Sequence, residues 1–283
     1  MAGHEALVER YRHFAGESHG RSALYEQLAN GVAEDDDLLE RFGALPAWKQ
    51  QPNLLFAAVQ YVAGIGQTPR SFAGFKRFVV DHADDVFNII AHRRTQTNEP
   101  ARCATLLPAF GLVRQPLALI EVGAAAGLQP DRYGYDYGDG HIRGHTSSPV
   151  VIRCPLYGRR PTLPHAANVA WRAGVDLAPI DVTDHDQVRW LEACVWPDQP
   201  DRLARLRAAV SLARKDPPRI IEGDLVDTLP SVASSAPQDT CLCVFHSVVL
   251  GYLDPRDRRR FIDGGCPSRR GTSVRRPPST CAS

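Results

Sequence analysis

Apolar residues in the first 112 positions recur at the spacing of one helix face. Leu7, Tyr11 and Phe14 form one set, Leu24 and Leu28 a second, and Leu54, Leu55, Ala58, Val59 and Val62 a third; Phe75, Phe78 and Val79 continue the series. Asp36, Pro46, Pro52 and Pro69 punctuate it, because proline fits a first helical turn but not a helix interior. The pattern predicts five to seven helices, an all-helical cap over residues 1–112.

From residue 113 to 263 the pattern becomes that of an α/β domain. Leu117, Leu119 and Ile120 lie in a continuous aliphatic run, the signature of a strand buried on both faces. The run ends at Glu121 and opens into the turn Gly123 to Gly127, which is expected to lead into a short helix. An irregular insertion follows over about 132–168. In it Tyr133, Tyr135 and Tyr137 alternate, and Gly138-Asp139-Gly140 supplies hairpin turn chemistry before His141-Ile142-Arg143. Pro149 to Ile152 and Cys154 to Tyr157 suggest further strand. Residues 169–184 read as a helix end or loop around Arg172 to Gly174, then a short strand, then a cap at Asp184 for a helix over about 185–194. A second helix over 201–214 shows Leu203, Leu206 and Val210 on one face. Two more strands are expected to end at Asp224 and near His246. Strands alternating with helices predict a doubly wound, mainly parallel sheet. Ligands of such sheets lie beyond the strands' carboxyl ends, where Glu121, Asp176, Asp224 and His246 fall.

The glycine turn is the first place to look for a cofactor. Glycine permits positive φ and close approach of a ligand, and amides at a following helix start can receive an anion. A G-x-G-x-x-G fingerprint begun at Gly123 meets Ala125 and Leu128, so a dinucleotide reading fails at two positions of three. The run Glu121, Gly123, Gly127 instead resembles the first motif of class I S-adenosylmethionine-dependent methyltransferases, with Ala125 replacing their middle glycine. GVDLAP (174–179) looks like their second-strand motif, EGDLVD (222–227) like the third and VFHSVVLGYL (244–253) like the fourth.

That resemblance implies a methyltransferase-like, Rossmann-type sheet that binds S-adenosylmethionine and transfers a methyl group to a small molecule. Gly123 and Gly127 would border the cofactor's methionine moiety, Asp176 would bind its ribose hydroxyls and Asp224 would lie by its adenine amino group, with Glu121 also counted among the cofactor-binding residues. His246 would face the substrate, and His246 or Glu99 would remove a proton where the acceptor needs it. Gly127 and Asp176 are 49 residues apart, about double what a compact strand-helix-strand unit implies. The tyrosine hairpin fills this interval, either as a substrate-binding insertion or as a block on the cofactor's place. Six blocks in order, QTNEPARC (96–103), EVGAAAGL (121–128), DRYGYDYG (131–138), GVDLAPIDVTD (174–184), VWPDQPDRL (195–203) and FHSVVLGYL (245–253), also resemble the uncharacterised bacterial domain of unknown function 2332. That family implies no established reaction.

Plainer readings stand beside these. The turn serves equally as a structural βα junction on a degenerate sheet, giving a non-catalytic binding or scaffold protein. Gln96 to Arg102 reads either as a selector of polar substrates or as a network tying cap to sheet, and His246 as a strand-end histidine held by hydrogen bonds. The tyrosines cover a sheet edge or stack on substrate.

Composition bounds the function. Apolar residues make up 43% and charged residues 23%, ordinary for a soluble domain, and the net charge is +1. Removing Arg269, Arg270, Arg275 and Arg276 from that total leaves −3, so no nucleic-acid-binding face is announced. Seven cysteines lack any C-x-x-C pair, arguing against zinc and disulfides. No segment reaches the roughly 20 apolar residues of a membrane span, and a cytoplasmic protein is expected. Residues 264–283 lose all apolar periodicity and read as a disordered tail, from a frameshift or truncation that leaves the sheet incomplete; a basic tail with its own partner is the alternative.

Overall fold

The computed structural model describes residues 2–113 and 115–264; beyond Gly264 the anticipated tail lies outside the described residues. Helices α1 (Ala2–Ser18), α2 (Ala23–Ala33), α3 (Asp36–Gly43), α4 (Pro52–Ala63), α5 (Phe72–Asp81), α6 (Ala83–His92) and α7 (Cys103–Phe110) build the N-terminal part. Local chemistry sets their starts. Ser22, Asp35 and Ser71 each accept a hydrogen bond from a first-turn amide, and Pro52 begins α4 where it has no amide to lose. The cap of α3 is therefore Asp35, one residue before the expected start signal. The periodic residues, Tyr11, Phe14, Leu28, Phe56 and Phe75 among them, meet in one core. Trp190 of α8 (His185–Ala193) enters the same core, so these helices are packed onto the later chain.

Beyond α7 the chain enters a parallel sheet of β1 (Leu117–Val122), β5 (Val169–Asp176), β6 (Ile220–Glu222) and β7 (Cys241–Phe245), in the order β6-β5-β1-β7. All six residues of β1 are buried, since it has a strand on each side and helices on each face. Leu117 and Leu119 join Phe245 and Phe110 of α7 on one face. Ile120 and Val122 join Ala173, Val175 and the apolar side of α10 (Leu225–Ser234) on the other, with Phe261 of α11 (Pro255–Gly264) packed against them. Helix α9 (Pro200–Lys215) completes the connection between β5 and β6. Among the described residues β7 is an edge strand.

The crossover from β1 to β5 departs from expectation. No helix follows the glycine turn; residues 123–129 turn and a 3-10 turn forms at Pro130–Arg132. Positive φ at Gly123, Ala125 and Gly127 (71°, 48° and 61°) interrupts any right-handed helix. A second sheet replaces it, made of β2 (Gly134–Asp136), β3 (Ile142–Gly144) and β4 (Val151–Arg153) in the order β3-β2-β4. The β2–β3 hairpin is the one its turn residues predict. Strand β4 stops at Arg153, before the segment from Cys154 to Tyr157. Tyr133, Tyr135 and Tyr137 are all buried in a core with Leu107, Val150 and Leu206. The Tyr137 hydroxyl donates to Ala104 O at 2.7 Å, tying the hairpin to α7.

Two boundaries are also corrected. The helix end or loop anticipated at Arg172 to Gly174 is the middle of β5. Those residues look like breakers, yet Ala173 is packed under α10, Arg172 reaches out to Asp131 and Asp216, and Gly174 has the Ala124 side chain lying across it. Strand β6 ends at Glu222 rather than at Asp224, because Asp224 caps α10 through the amides of Val226 and Asp227 (2.8 and 3.3 Å).

A Cβ at position 174 would stand 2.6 Å from the Cβ of Ala124, a contact between two stiff backbone-borne atoms. Gly174→Ala is therefore expected to destabilise the fold by about 1–3 kcal/mol, the usual cost of overpacking. Urea unfolding reads this directly, and an unchanged midpoint would mean that the glycine turn does not fold across β5.

Candidate functional site

Alternation along β1 places Glu121 on the α7 face with Leu117 and Leu119, in the interior of the sheet. Only 1% of it is exposed. A carboxylate there needs a partner, and Arg102, at the end of the 3-10 turn Pro100–Arg102, supplies it through Nη2. Arg102 Nη1 also lies 3.4 Å from Ser247 Oγ, just after β7. The pair is incompletely satisfied, since Glu121 Oε2 and Arg102 Nε are buried without a hydrogen-bond partner. Burial pushes the Glu121 carboxyl up to about 7 despite the opposing guanidinium, and the nearby Asp176 charge adds to the rise.

The glycine turn is closed by the protein's own groups. Asp176, at the end of β5, accepts from the Ala125 amide at 2.7 Å through one oxygen and from the Ala178 amide at 3.0 Å through the other. The Gly123 and Ala124 amides donate to Val175 O, and the Ile180 amide donates to Ala125 O. A Cβ on Gly123 would meet Val249 at 2.8 Å, and one on Gly127 would meet Pro218 at 2.7 Å. The glycines therefore admit neighbouring side chains of the same chain.

The remaining sequence candidates are dispersed. Asp224 is the cap of α10. His246 follows Phe245, which faces α7 beside Leu119, so alternation turns the histidine to the opposite face from Glu121. There its ring packs edge-on against Phe261 at 6.3 Å, with Nδ1 buried and unpartnered. Glu99 accepts from the Ala101 amide and pairs with Arg202 and Arg205 of α9 at 2.6 and 2.9 Å. Burial raises its pKa, but the bonds from Arg205 and the Ala101 amide and the charges of Arg205 and Arg202 outweigh that and hold it below the usual range. Asn98 accepts from the Leu128 amide and Gln96 donates to Ala178 O, so the polar block from Gln96 to Arg102 ties the helical layer to the sheet. Of all these residues, the fold brings Glu121, Gly123 and Asp176 around one turn, with Arg102 beneath it.

Sequence reasoning missed two features. Arg102 gave no sign that its partner lies nineteen residues on. The group of Asp131, Arg132, Arg172 and Asp216, linked by ion pairs under the 3-10 turn, left no local pattern either. Among the described residues no three His, Cys, Asp or Glu side chains come together as a metal site, and no helix is long and apolar enough to cross a membrane.

Comparison with known proteins adds one positive finding. The model of a family described as an uncharacterised protein conserved in bacteria, the domain of unknown function 2332, matches residues 8–264, and the chain belongs to that family. No curated protein and no solved structure matches it.

Two outcomes follow from this geometry. The folded state raises the Glu121 pKa from 4.5 to about 7, so it holds that proton more tightly than the unfolded chain. The resulting stabilisation is complete below about pH 4.5 and is lost as pH rises through about 7. Glu121→Gln removes the titration. The parent should therefore lose stability relative to this variant by up to a few kcal/mol between pH 4.5 and 7, at ~1.4 kcal/mol per unit. Urea midpoints across that range give the answer, and parallel pH profiles would place the Glu121 pKa outside it. Asp176→Ala leaves two amides at the turn without their acceptor and should cost about 1–3 kcal/mol, with faster hydrogen exchange at Ala125 and Ala178. Unaltered exchange would show that the carboxylate does not close the turn.

Proposed function

We propose that this chain is a small-molecule-binding protein whose ligand is held at the carboxyl end of β1 by the Arg102–Glu121 pair. One observation carries the reading: a buried acceptor, Glu121 Oε2, and a buried donor, Arg102 Nε, have no partner within a single ion pair. Buried polar groups are nearly always satisfied, so this pair calls for an occupant offering both a donor and an acceptor. Its place supports the reading. The sheet grows from β1 to β5 to β6 on one side and resumes at β7 on the other, and ligands of doubly wound sheets lie beyond the carboxyl ends at such a reversal. A carboxyl titrating near neutrality suits proton exchange with whatever binds.

Methyl transfer has a separate observation in its favour. The order β6-β5-β1-β7 is third, second, first, fourth, the arrangement that opens nucleotide-binding Rossmann sheets, and Asp176 ends the second of these strands. The residues present do not fit S-adenosylmethionine as they stand. Val249 and Pro218 fill the space beside Gly123 and Gly127, Asp176 already accepts from two amides, and no helix directly follows the turn. Binding without methyl transfer, on a degenerate Rossmann-like sheet, is the reading we favour, and it gives His246 and Glu99 no catalytic role.

A thermal-shift screen of small polar metabolites should yield compounds that stabilise the parent chain and lose their effect in both Arg102→Met and Glu121→Gln. Hits retained by both variants, or a screen with no hit, would remove the pair from function. S-adenosylmethionine belongs in the same screen and is expected to leave the transition unmoved. A shift equivalent to about 2.7 kcal/mol at a hundredfold excess over its dissociation constant would restore the methyl-donor reading.

A further inference from the structure

Cationic side chains gather where the 3-10 turn Ala47–Lys49 meets the chain after α6 and helix α8. Arg10 of α1 grips this turn, donating to Gln50 O at 2.6 Å. Lys49 Nζ donates to Arg93 O at 2.6 Å and stands 4.4 Å from the ring centre of Trp48, and the Arg94 guanidinium stands 5.1 Å from the same ring. Trp190 Nε1 fixes the Arg94 carbonyl at 2.8 Å. Arg93 lies over Trp190 and Tyr61, and Arg189 covers Tyr61 at 4.4 Å. These contacts join guanidinium, ammonium and ring into one continuous patch.

Among the described residues one carboxylate is bonded into this patch, that of Asp186, and Arg93 and the Tyr61 hydroxyl take it. Arg10, Lys49, Arg94 and Arg189 are held by carbonyls and rings instead. Burial and then the Arg94 charge lower the Lys49 pKa, with no carboxylate to offset them. The patch therefore presents uncompensated positive potential, which attracts an anionic partner. Its residues come from separate stretches of the chain, so a net charge of +1 conceals it. Arg94 and Arg189 are exposed and Trp48 is 54% exposed, leaving both charge and a ring open to that partner. Phosphates spaced by planar bases match both features, since bases stack on aromatic rings while basic side chains track the backbone. An acidic peptide would leave the ring unused, and a membrane surface would call for a larger apolar face than one tryptophan. We infer that this patch, separate from the Arg102–Glu121 pair, binds single-stranded nucleic acid, with phosphates on Arg94 and Arg189 and a base stacked on Trp48.

Fluorescence anisotropy of a labelled decathymidylate titrated with the full chain, over about 0.05 to 0.2 M salt, tests the site. Two phosphate contacts should make the logarithm of affinity fall against that of salt with a slope of about −1.4. Arg94→Ala should weaken binding and make the slope shallower by about 0.7, through the loss of one phosphate contact. Trp48→Ala should weaken binding at least about fivefold and leave the slope unchanged, because stacking releases no counterions. Both side chains are exposed, so both variants should keep the parent's circular dichroism. A decathymidylate that does not saturate would overturn the proposal. Parent affinity in both variants would place the strand elsewhere on the chain and overturn it equally. Polyglutamate or phosphatidylserine vesicles that bind as tightly in the same salt would reassign the patch to an acidic protein or a membrane.

Discussion

A carboxylate in the middle of a buried strand cannot stand alone, and the pairing of Glu121 with Arg102 is the constraint around which this molecule is arranged. Strand β1 has neighbours on both edges and helices on both faces, so the Glu121 side chain is almost wholly withdrawn from water. Its partner has to come from another element, and it comes from the polar segment just before α7. The pair therefore fixes where the helical layer meets the sheet. Buried ion pairs are weak sources of stability because desolvation opposes the attraction, but breaking one leaves an uncompensated charge. Such a pair specifies an arrangement more than it stabilises one. Glu99 with Arg202 and Arg205, and Asn98 with the Leu128 amide, reinforce the same junction from either side.

The turn after β1 shows how one set of residues serves two different ends. Glycines bordering a strand-end turn allow a ligand to approach the backbone, but they equally allow side chains to do so. Here Val249 and Pro218 are close to Gly123 and Gly127, and the Asp176 carboxylate takes the Ala125 amide. The turn is thereby locked to β5 and to the segments after β7 and before β6, and the chain leaves it not through a helix but through a second sheet packed by three tyrosines. The turn itself is occupied by groups of the chain, and the polar pair lies beneath it. The four strands form a parallel sheet in the order β6-β5-β1-β7, and the contacts at the turn are made within the chain. Fold and activity are separable for this reason, since topology rests on many apolar contacts and a cofactor site on a few polar ones.

Much of this architecture was legible in the chain. Helical periodicity gave the N-terminal layer, the aliphatic run gave β1, alternation with glycine turns gave the β2–β3 hairpin, and Asp184 was recognisable as a cap. These features depend on local dihedral preferences and on the burial of one face, which a run of residues encodes by itself. The failures share a cause. Ala173 and Gly174 read as breakers because their small size answers to α10 and Ala124, which approach from elsewhere in the chain. Asp224 and Asp176 sit near strand ends, but whether a carboxylate there caps a helix, closes a turn or awaits a ligand is set by the amides that approach it.

Sequence by itself thus determined most element types, the parallel strand set, the candidate acids and membership of the bacterial family. Tertiary structure alone decided which of those acids are engaged, that Arg102 pairs with Glu121, that His246 turns to the other face, and that the tyrosines form a core. The physical reason is the range of the forces involved. Backbone propensity and hydrophobic periodicity act over a few residues, whereas charge pairing, desolvation and close packing depend on which distant segments the fold brings within a few ångströms.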